Sequence, residues 1–523
     1  MSSRKSASRP TIWILEDQLS STLPTLREAP DALVLLIESD RAFRRVRYHK
    51  KRITFLVSAM RHFAEELRHI GRDVHHYPFV ASGYRDSVSA IRHHVKTTGS
   101  RELWVVEPSE YDCRAWIETL PELLGVVIRY FPNTLFLTQR DEFREWAINL
   151  KSPVMEPFYR KMRAKHRVLM EPDGKRPLGG VWNYDKENRK GPPIKIAVPP
   201  IPSFSPDAIT LDVMKEIDRR FPDHPGQTHG FDLPVTREDA HAAFDDFLKH
   251  RLPHFGRYED AMVSGEPFLF HSFVSPLLNA GLLEPLTCVR AAEQELNAGR
   301  APMNAVEGFV RQILGWREYV YGIYWSFMPT YRTRNARNNT RPLPQLFWTG
   351  ETNLNCLKQT LSSVIEHAYS HHIQRLMILS NFATLTGINP QAVNDWFYAM
   401  YVDSHDWVVT PNVVGMGMNA DGGTMATKPY VSSGAYINRM SDYCKSCKYN
   451  VKERTGENAC PFNHLYWTFM HRYRSAYARN PRMTMMMKQL DRIDPTEMQD
   501  MLQQSQHFID ALGATATSAH NDA

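Results

Sequence analysis

The hydrophobic pattern splits the chain in two. The first part alternates short apolar runs with amphipathic stretches; the longer remainder carries helical periodicity. Residues 11–15 (TIWIL) and 32–38 (ALVLLIE) have the length and content of buried strands. Between residues 50 and 70, Ile53, Leu56, Met60, Phe63, Leu67 and Ile70 recur at alternating steps of 3 and 4, a one-sided helical stripe that Gly71 stops. Further strands are expected at Asp73–Tyr77, Leu103–Val106 and Val126–Tyr130, with helices between them. This βαβ rhythm predicts a doubly wound parallel sheet ending near residue 135. Such sheets bind ligands past the C-terminal ends of their strands, where Asp17, Gln18 and Glu38 stand. No G-x-G-x-x-G occurs, so dinucleotide binding here has no support.

Residues 136–235 are Pro-rich and irregular, too long for a plain loop, and read as a connector carrying functional segments. Within it Phe158–Arg167 holds five Lys/Arg in ten residues: a solvated helix face or a contact to a phosphate backbone. Helical patterns then cover 236–250, 287–298, 305–328, 353–387 and 390–402. Asp494-Pro495 opens a last helix that Gly513 is expected to end. The fold class is therefore an N-terminal α/β doubly wound parallel-sheet domain and a large all-α C-terminal domain, joined by a long irregular connector. The expected boundaries are a disordered leader at 1–10, the α/β domain at 11–135, the connector at 136–235, the helical domain at 236–490, and a C-terminal helix with a disordered tail at 491–523.

Composition narrows the class. Hydrophobic residues make up 42% and charged residues 23%, which is globular rather than disordered. There is no apolar run of 18 residues, and the basic leader has no apolar core, so neither a membrane span nor a secretory signal is predicted. A soluble cytosolic protein is expected. The net charge of +6 permits a polyanionic partner without demanding one.

Six cysteines are sparse, and four of them form a pattern. Cys444, Cys447 and Cys460 read C-x2-C-x12-C, with Pro461 next, and Cys356 lies upstream on another predicted helix. An iron–sulfur cluster, a zinc ion and coincidence all remain open from spacing alone. Cys113 and Cys288 are isolated and read as small buried hydrophobes. Residues 366–377 hold His367, His371 and His372. On one continuous helix His367 and His371 would share a face, with Arg375 a turn further. A metal site there lacks a third ligand; a pocket whose histidine acts as an acid fits better. Six of the 11 tryptophans lie in the C-terminal half, as core or as electron relays.

Longer motifs carry a resemblance. Ser58–Phe63 (SAMRHF), Trp182–Arg189 (WNYDKENR), Asn304–Phe309 (NAVEGF), Gly315–Tyr319 (GWREY), His371–Met377 (HHIQRLM) and Tyr436–Cys444 (YINRMSDYC) together resemble the prokaryotic (6-4) photolyases, the iron–sulfur bacterial cryptochrome and photolyase group. The resemblance covers about residues 11–490. It implies an antenna, 6,7-dimethyl-8-ribityllumazine, in the α/β domain near Asp17, Gln18 and Glu38, and FAD in the helical domain. It also implies a 4Fe–4S cluster on Cys356, Cys444, Cys447 and Cys460. The implied function is light-driven repair of (6-4) pyrimidine–pyrimidone photoproducts in UV-damaged DNA, a lyase reaction of a monomer in the bacterial cytosol. The alternative is a cryptochrome-like receptor that signals to a protein partner.

The resemblance further implies roles for single residues. His372 would be the proton donor, with His371 its support and Tyr430 in the lesion pocket. Asp185 and Asp260 would hold Mg2+, and Arg189 would touch DNA. FAD would be held by His271, Ser272 and Ser275, by Glu307, Arg311 and Trp316, and by Arg375, Asp403 and Asn412. Trp396 and Trp348 would relay electrons. Phe397 and His405 stand where tyrosines are expected in that relay, so it would run through other aromatics such as Tyr398 or Tyr401. The basic run Tyr331–Arg341 is expected to grip phosphates.

Overall fold

The computed structural model describes residues 9–79, 84, 86–150, 153–193 and 197–514. Residues 1–8 of the expected leader and residues 515–523 of the expected tail lie outside the described residues.

Five strands form one sheet: β1 (Thr11–Trp13), β2 (Leu33–Ile37), β3 (Asp73–Tyr77), β4 (Glu102–Val106) and β5 (Val127–Phe131). All pairings are parallel, in the order β3-β2-β1-β4-β5. The two faces are buried by different partners. Ile12, Ile14, Val34, Leu36 and Val106 point into the core shared with the helical region. Trp13, Leu15, Leu35, Ile37, Leu103 and Val105 form a second core with Ala90, Ile91 and Ile117. A sheet covered on both sides needs apolar residues at successive positions, as the run LVLLI supplies. The strand order reverses between β1 and β4, and this switch point opens beside Asp17 and Gln18.

Helix α1 (Lys50–His69) buries the predicted stripe except Ile70, which caps its C-terminus and is exposed. The connector is more ordered than its composition predicts. It holds helices Arg140–Ile148, Met155–His166 and Ala208–Arg220, the second burying Phe158, Tyr159, Met162 and Arg163. Helices Arg237–His250, Pro285–Asn297 and Pro390–Met400 follow the predicted stretches within a few residues. The final helix, Pro495–Ala514, runs through Gly513 rather than ending there. Among the described residues no helix is long and apolar enough to cross a membrane.

Two predicted helices differ in a way that matters for the site. The 305–328 pattern is helical throughout but widens to π geometry at Arg311–Arg317, between Met303–Val310 and Glu318–Phe327. The 353–387 pattern is not one helix. Asn355–His367 stops at Ala368, whose φ is 54°, and the chain re-enters helix after His371 through a π segment, Gln374–Ser380. A third π segment is Pro411–Gly417. Such widened turns occur mostly at functional sites. These three carry Arg311 and Trp316, Arg375, and Asn412.

Candidate active site

The break at Ala368 corrects the reading of the histidine run. His367 ends one helix, His371 closes the loop after it, and His372 is the first residue of the next helix. His367 and His371 therefore share no helical face. The loop is held from outside: Ser363 Oγ donates to the Tyr369 carbonyl (2.7 Å) and Val402 N–H to the Ala368 carbonyl (2.9 Å). Its far end is pinned by Gln374, which accepts from His371 N–H (3.0 Å) and donates to Tyr443 Oη (3.0 Å).

At the centre of the site Arg375 meets Asp403 through two parallel bonds of 3.0 and 2.9 Å, and its Nε donates to the Ser370 carbonyl (2.6 Å). Ser275 Oγ adds a bond of 2.6 Å to the same carboxylate. The guanidinium lies 4.1 Å over the Tyr401 ring, so charge, hydrogen bonding and cation–π contact fix it together. Asn412 Nδ2 is bonded back to the Val408 carbonyl (2.8 Å). Ser272 is half-buried in the loop that precedes the helix opened by Ser275.

His371 is buried, with neither ring nitrogen hydrogen-bonded among the described residues. Its ring stacks on His271, centroids 4.3 Å apart. Burial, then His271, His372 and Arg375, hold its pKa well below the ordinary value. The His372 ring opens to solvent. Crowding by the pocket walls, then Arg375, pushes its pKa down to about 4.

Beside the histidines lies a carboxylate group. Asp185 is ion-paired with Arg189 and stands 3.8 Å from Arg311. Burial, then Asp185, pushes Asp260 up to about 6, and Tyr436 donates a hydrogen bond to it. Burial likewise raises Glu259 to about 7, although Gln312 Nε2 donates to it at 2.6 Å. Glu307 is fully enclosed: it accepts from Tyr184 N–H (2.9 Å), Tyr159 Oη (2.9 Å) and Arg311 Nε (3.2 Å). Glu307 and Arg311 thus stand with the Asp185 segment, while Arg375 and Asp403 form a separate group. Trp316 packs against Tyr319. Tyr430 is half-buried near Arg482, Asp185 and Arg189, with Lys428 over its ring at 6.0 Å.

The thiols of Cys356, Cys444, Cys447 and Cys460 line one small pocket with Leu354, Ile437 and Phe462. They reach it from the helix Asn355–His367, a short turn at Tyr443–Ser446, the loop after it, and the N-cap of the helix Pro461–Arg472. Burial and the neighbouring thiols push Cys444 up to about 12 and hold Cys356 well above the ordinary thiol value. Gly434 leaves room beside them; a Cβ there would stand 2.9 Å from Cys460 Sγ. Among the described residues no three His, Cys, Asp or Glu side chains are arranged to hold a single metal ion.

At the sheet's switch point, Asp17 accepts from Ser109 Oγ, and burial, then Glu16, pushes it up to about 7. Gln18 is buried; its Nε2 donates to the Val106 carbonyl (3.1 Å), and its Oε1 has no partner among the described residues. Glu38 lies apart, both oxygens taken by Arg61, His76 and the Phe79 N–H. Burial alone would raise its pKa, but the bonds from Arg61 and His76 lower it.

In the expected relay, Trp396 is buried, donates to the Phe347 carbonyl (3.1 Å) and packs edge-on to Phe347, while the residue after Phe347, Trp348, is exposed. Phe397 stacks on Tyr401 at 5.1 Å, and Tyr401 lies edge-on to Trp396 at 5.9 Å.

Part of each basic run is tied into the fold. Arg332 pairs with Asp112 and Asp406, Arg337 lies over Tyr473 and Tyr477, and Arg341 donates to the Thr386 carbonyl. In the connector, Arg163 is buried on main-chain carbonyls and Lys165 pairs with Glu142. Sequence reading missed Glu259, Gln374, Tyr436 and Tyr443. Two had a local signal, since Glu259 adjoins Asp260 and Tyr443 adjoins Cys444.

This architecture is that of the photolyases and cryptochromes. A bacterial class III photolyase from Agrobacterium tumefaciens superposes with a TM-score of 0.54 at 17% identity, covering 92% of this chain and all of that one. The Synechocystis sp. PCC6803 cryptochrome superposes with a TM-score of 0.56 at 15% identity, covering 83% and 89%. Residues 12–233 match the family model of deoxyribodipyrimidine photo-lyase-related proteins. The chain belongs to the (6-4) photolyase family: it is 44% identical over 477 residues to the (6-4) photolyase of Agrobacterium fabrum strain C58, covering 90% of this chain and 93% of that protein.

Proposed function

We propose that this protein is a light-driven lyase that restores (6-4) pyrimidine–pyrimidone photoproducts in UV-damaged DNA, with His372 as the proton donor. One observation carries the reading: His372 opens to solvent directly beside the buried His371 and the Arg375–Asp403 pair. An acid that must reach an extruded base has to lie at an open surface, while the groups that hold it must be packed.

FAD is the cofactor of this reading. The site fits it: a partly buried arginine paired with one carboxylate can balance an anionic ring system, and His271 Nε2 and both ring nitrogens of His371 are buried with no partner among the described residues. Arg375, Asp403, Ser275, Ser272, Asn412 and Trp316 would hold it, with His271, Glu307 and Arg311 behind them. When bound and reduced, it supplies the photoexcited electron that opens the lesion. His372 holds a proton toward the lesion, His371 supports its ring, and Tyr430 closes the pocket beside it. Asp185 and Asp260 would share a Mg2+ ion at the lesion phosphates, supported by the raised pKa of Asp260 beside a second carboxylate. Arg189 faces the DNA, which would be bound by a monomer in the cytosol.

A 4Fe–4S cluster suits the cysteine pocket better than zinc. A zinc ion needs its thiolates around one point, whereas a cluster binds each thiolate at a separate iron. The four thiols share a pocket without meeting three to a point among the described residues. A lumazine antenna would use Asp17 and Gln18, whose buried Oε1 matches a hydroxyl or ring N–H donor, with Glu38 at the end of the adjoining strand. Flavin reduction would run from Trp396 to Trp348, with Tyr401 as the tyrosine nearest Trp396.

The test is repair of an oligonucleotide carrying one (6-4) photoproduct under blue light. Repair is expected in light, none in darkness, and none for His372→Ala with its flavin absorbance intact. Full repair by that variant would overturn the proton-donor role. Light-dependent binding to a protein partner without repair would identify a receptor instead.

A further inference from the structure

His271 has neighbours that a cofactor contact does not explain. Its ring lies nearly parallel to His371, 14° between planes, and Phe255 closes against it edge-on at 5.7 Å. Its Nε2 is buried without a partner among the described residues, and the Glu259 main chain lies against the ring. Arg251 holds the segment from behind, donating to the His271 carbonyl (3.2 Å) and to Asp246 (3.0 Å).

The charged groups facing this stack are His372 and Arg375 from the His371 loop and its helix, and Arg251 from the far side. Arg375 is paired with Asp403 and Arg251 with Asp246. Among the described residues no carboxylate is hydrogen-bonded to either ring nitrogen of His371. A proton on His371 would therefore be buried, stacked on a second imidazole, and surrounded by positive charge. A proton on His372 can be reached by water.

We propose that His271 is a positioning residue of the repair pocket: stacked on His371, it holds that ring uncharged and in one plane, so that the pocket's transferable proton resides on His372. This rests on the repair reading given above and adds a third histidine to it. His271 itself neither gives nor takes a proton.

The experiment follows the histidine ring signals of the flavin-loaded protein, labelled at Cε1, by NMR between about pH 5 and 8. His371→Asn assigns the signal. His371 is expected to stay neutral over that range in the wild-type protein and in His271→Phe, which keeps a flat ring in the stack. It is expected to titrate in His271→Ala, where water reaches it. In single-turnover repair, His271→Phe should lose clearly less rate than His271→Ala. His271→Ala should lose roughly tenfold or more in rate through misplacement of His371 and His372. An ordinary titration of His371 in the wild-type protein overturns the proposal. So does His271→Phe losing as much rate as His271→Ala, because a nitrogen would then be acting chemically. If His271→Ala fails to bind flavin, His271→Leu replaces it, and the wild-type and Phe results still decide. Absent repair with the expected titration would sink the repair reading alone; normal repair with an ordinary titration would sink this proposal alone.

Discussion

Replacing Asp403 by asparagine should destabilise the protein more than removing the whole Arg375–Asp403 pair. The Asp403 side chain is 6% exposed and Arg375 22%. Asp403 receives two bonds from Arg375 and one from Ser275. An asparagine would keep the shape but remove the charge, and its amide nitrogen could no longer accept the second Arg375 bond. Breaking a buried pair by removing one partner costs about 3–5 kcal/mol. The residual exposure of Arg375 puts the expectation at the lower end, about 3 kcal/mol. At the usual unfolding entropy per residue, a chain of 523 residues would lose about 3 °C in Tm. The assay is urea unfolding of Asp403→Asn, Arg375→Met, and Asp403→Leu combined with Arg375→Met, each with and without flavin. The paired apolar replacement should be less destabilised than Asp403→Asn. If Asp403→Asn lies within about 1 kcal/mol of wild type without flavin, the pair is not holding a buried charge, and the electrostatic reasoning for the site fails.

Gly434→Ala should lower stability by about 1–3 kcal/mol, because its Cβ would stand 2.9 Å from both Cys460 Sγ and Val451 Cγ2; absorbance near 400 nm of the purified variant, lower than wild type, checks whether the thiol pocket is the part disturbed. Burial pushes Glu110 up to about 7, above its unfolded value, so its contribution to stability is present below about pH 4.5 and lost as pH rises through 7. Urea melts of Glu110→Gln between those pH values should therefore show a flatter pH dependence than wild type, and an unchanged slope would assign the effect elsewhere. If His372 acts as an acid, the repair rate should fall as pH rises, and His372→Gln should be slow and pH-insensitive. Arg189→Ala should weaken binding to DNA and reduce the slope of log affinity against log salt by about one; an unchanged slope would remove Arg189 from the interface.

Much of the fold was legible because burial on two faces writes itself into sequence. The strand LVLLI admits no polar position, and the α1 stripe repeats through five turns of helix. The cysteine spacing was equally open to reading. The break at Ala368 was not. Alanine is the best helix former, and the apolar periodicity continues across it. Its positive φ is held by bonds from Ser363 to Tyr369 and from Val402 to Ala368, residues that no local window connects. The partners of the basic runs were hidden for a related reason. Charge density in sequence is blind to partners, and Arg163, Arg332 and Arg341 find theirs inside the protein. Glu307 is the same case in an acidic residue: its motif was visible, its role as the tether of Tyr159 and Tyr184 was not.

The Gln374 side chain ties the His371 loop to Tyr443, and Tyr443 is followed directly by Cys444. Asn355, which precedes Cys356, bonds the Tyr443 carbonyl at 2.9 Å from the opposite side. The thiol lobe is therefore no detachable cassette. An engineer who exchanged it for an unrelated loop would have to return a hydroxyl to the position of Tyr443 Oη, or the histidine loop would lose its anchor. The same bond lets damage travel: oxidation that loosens the thiols would register first as a misaligned His371, well before the helices come apart.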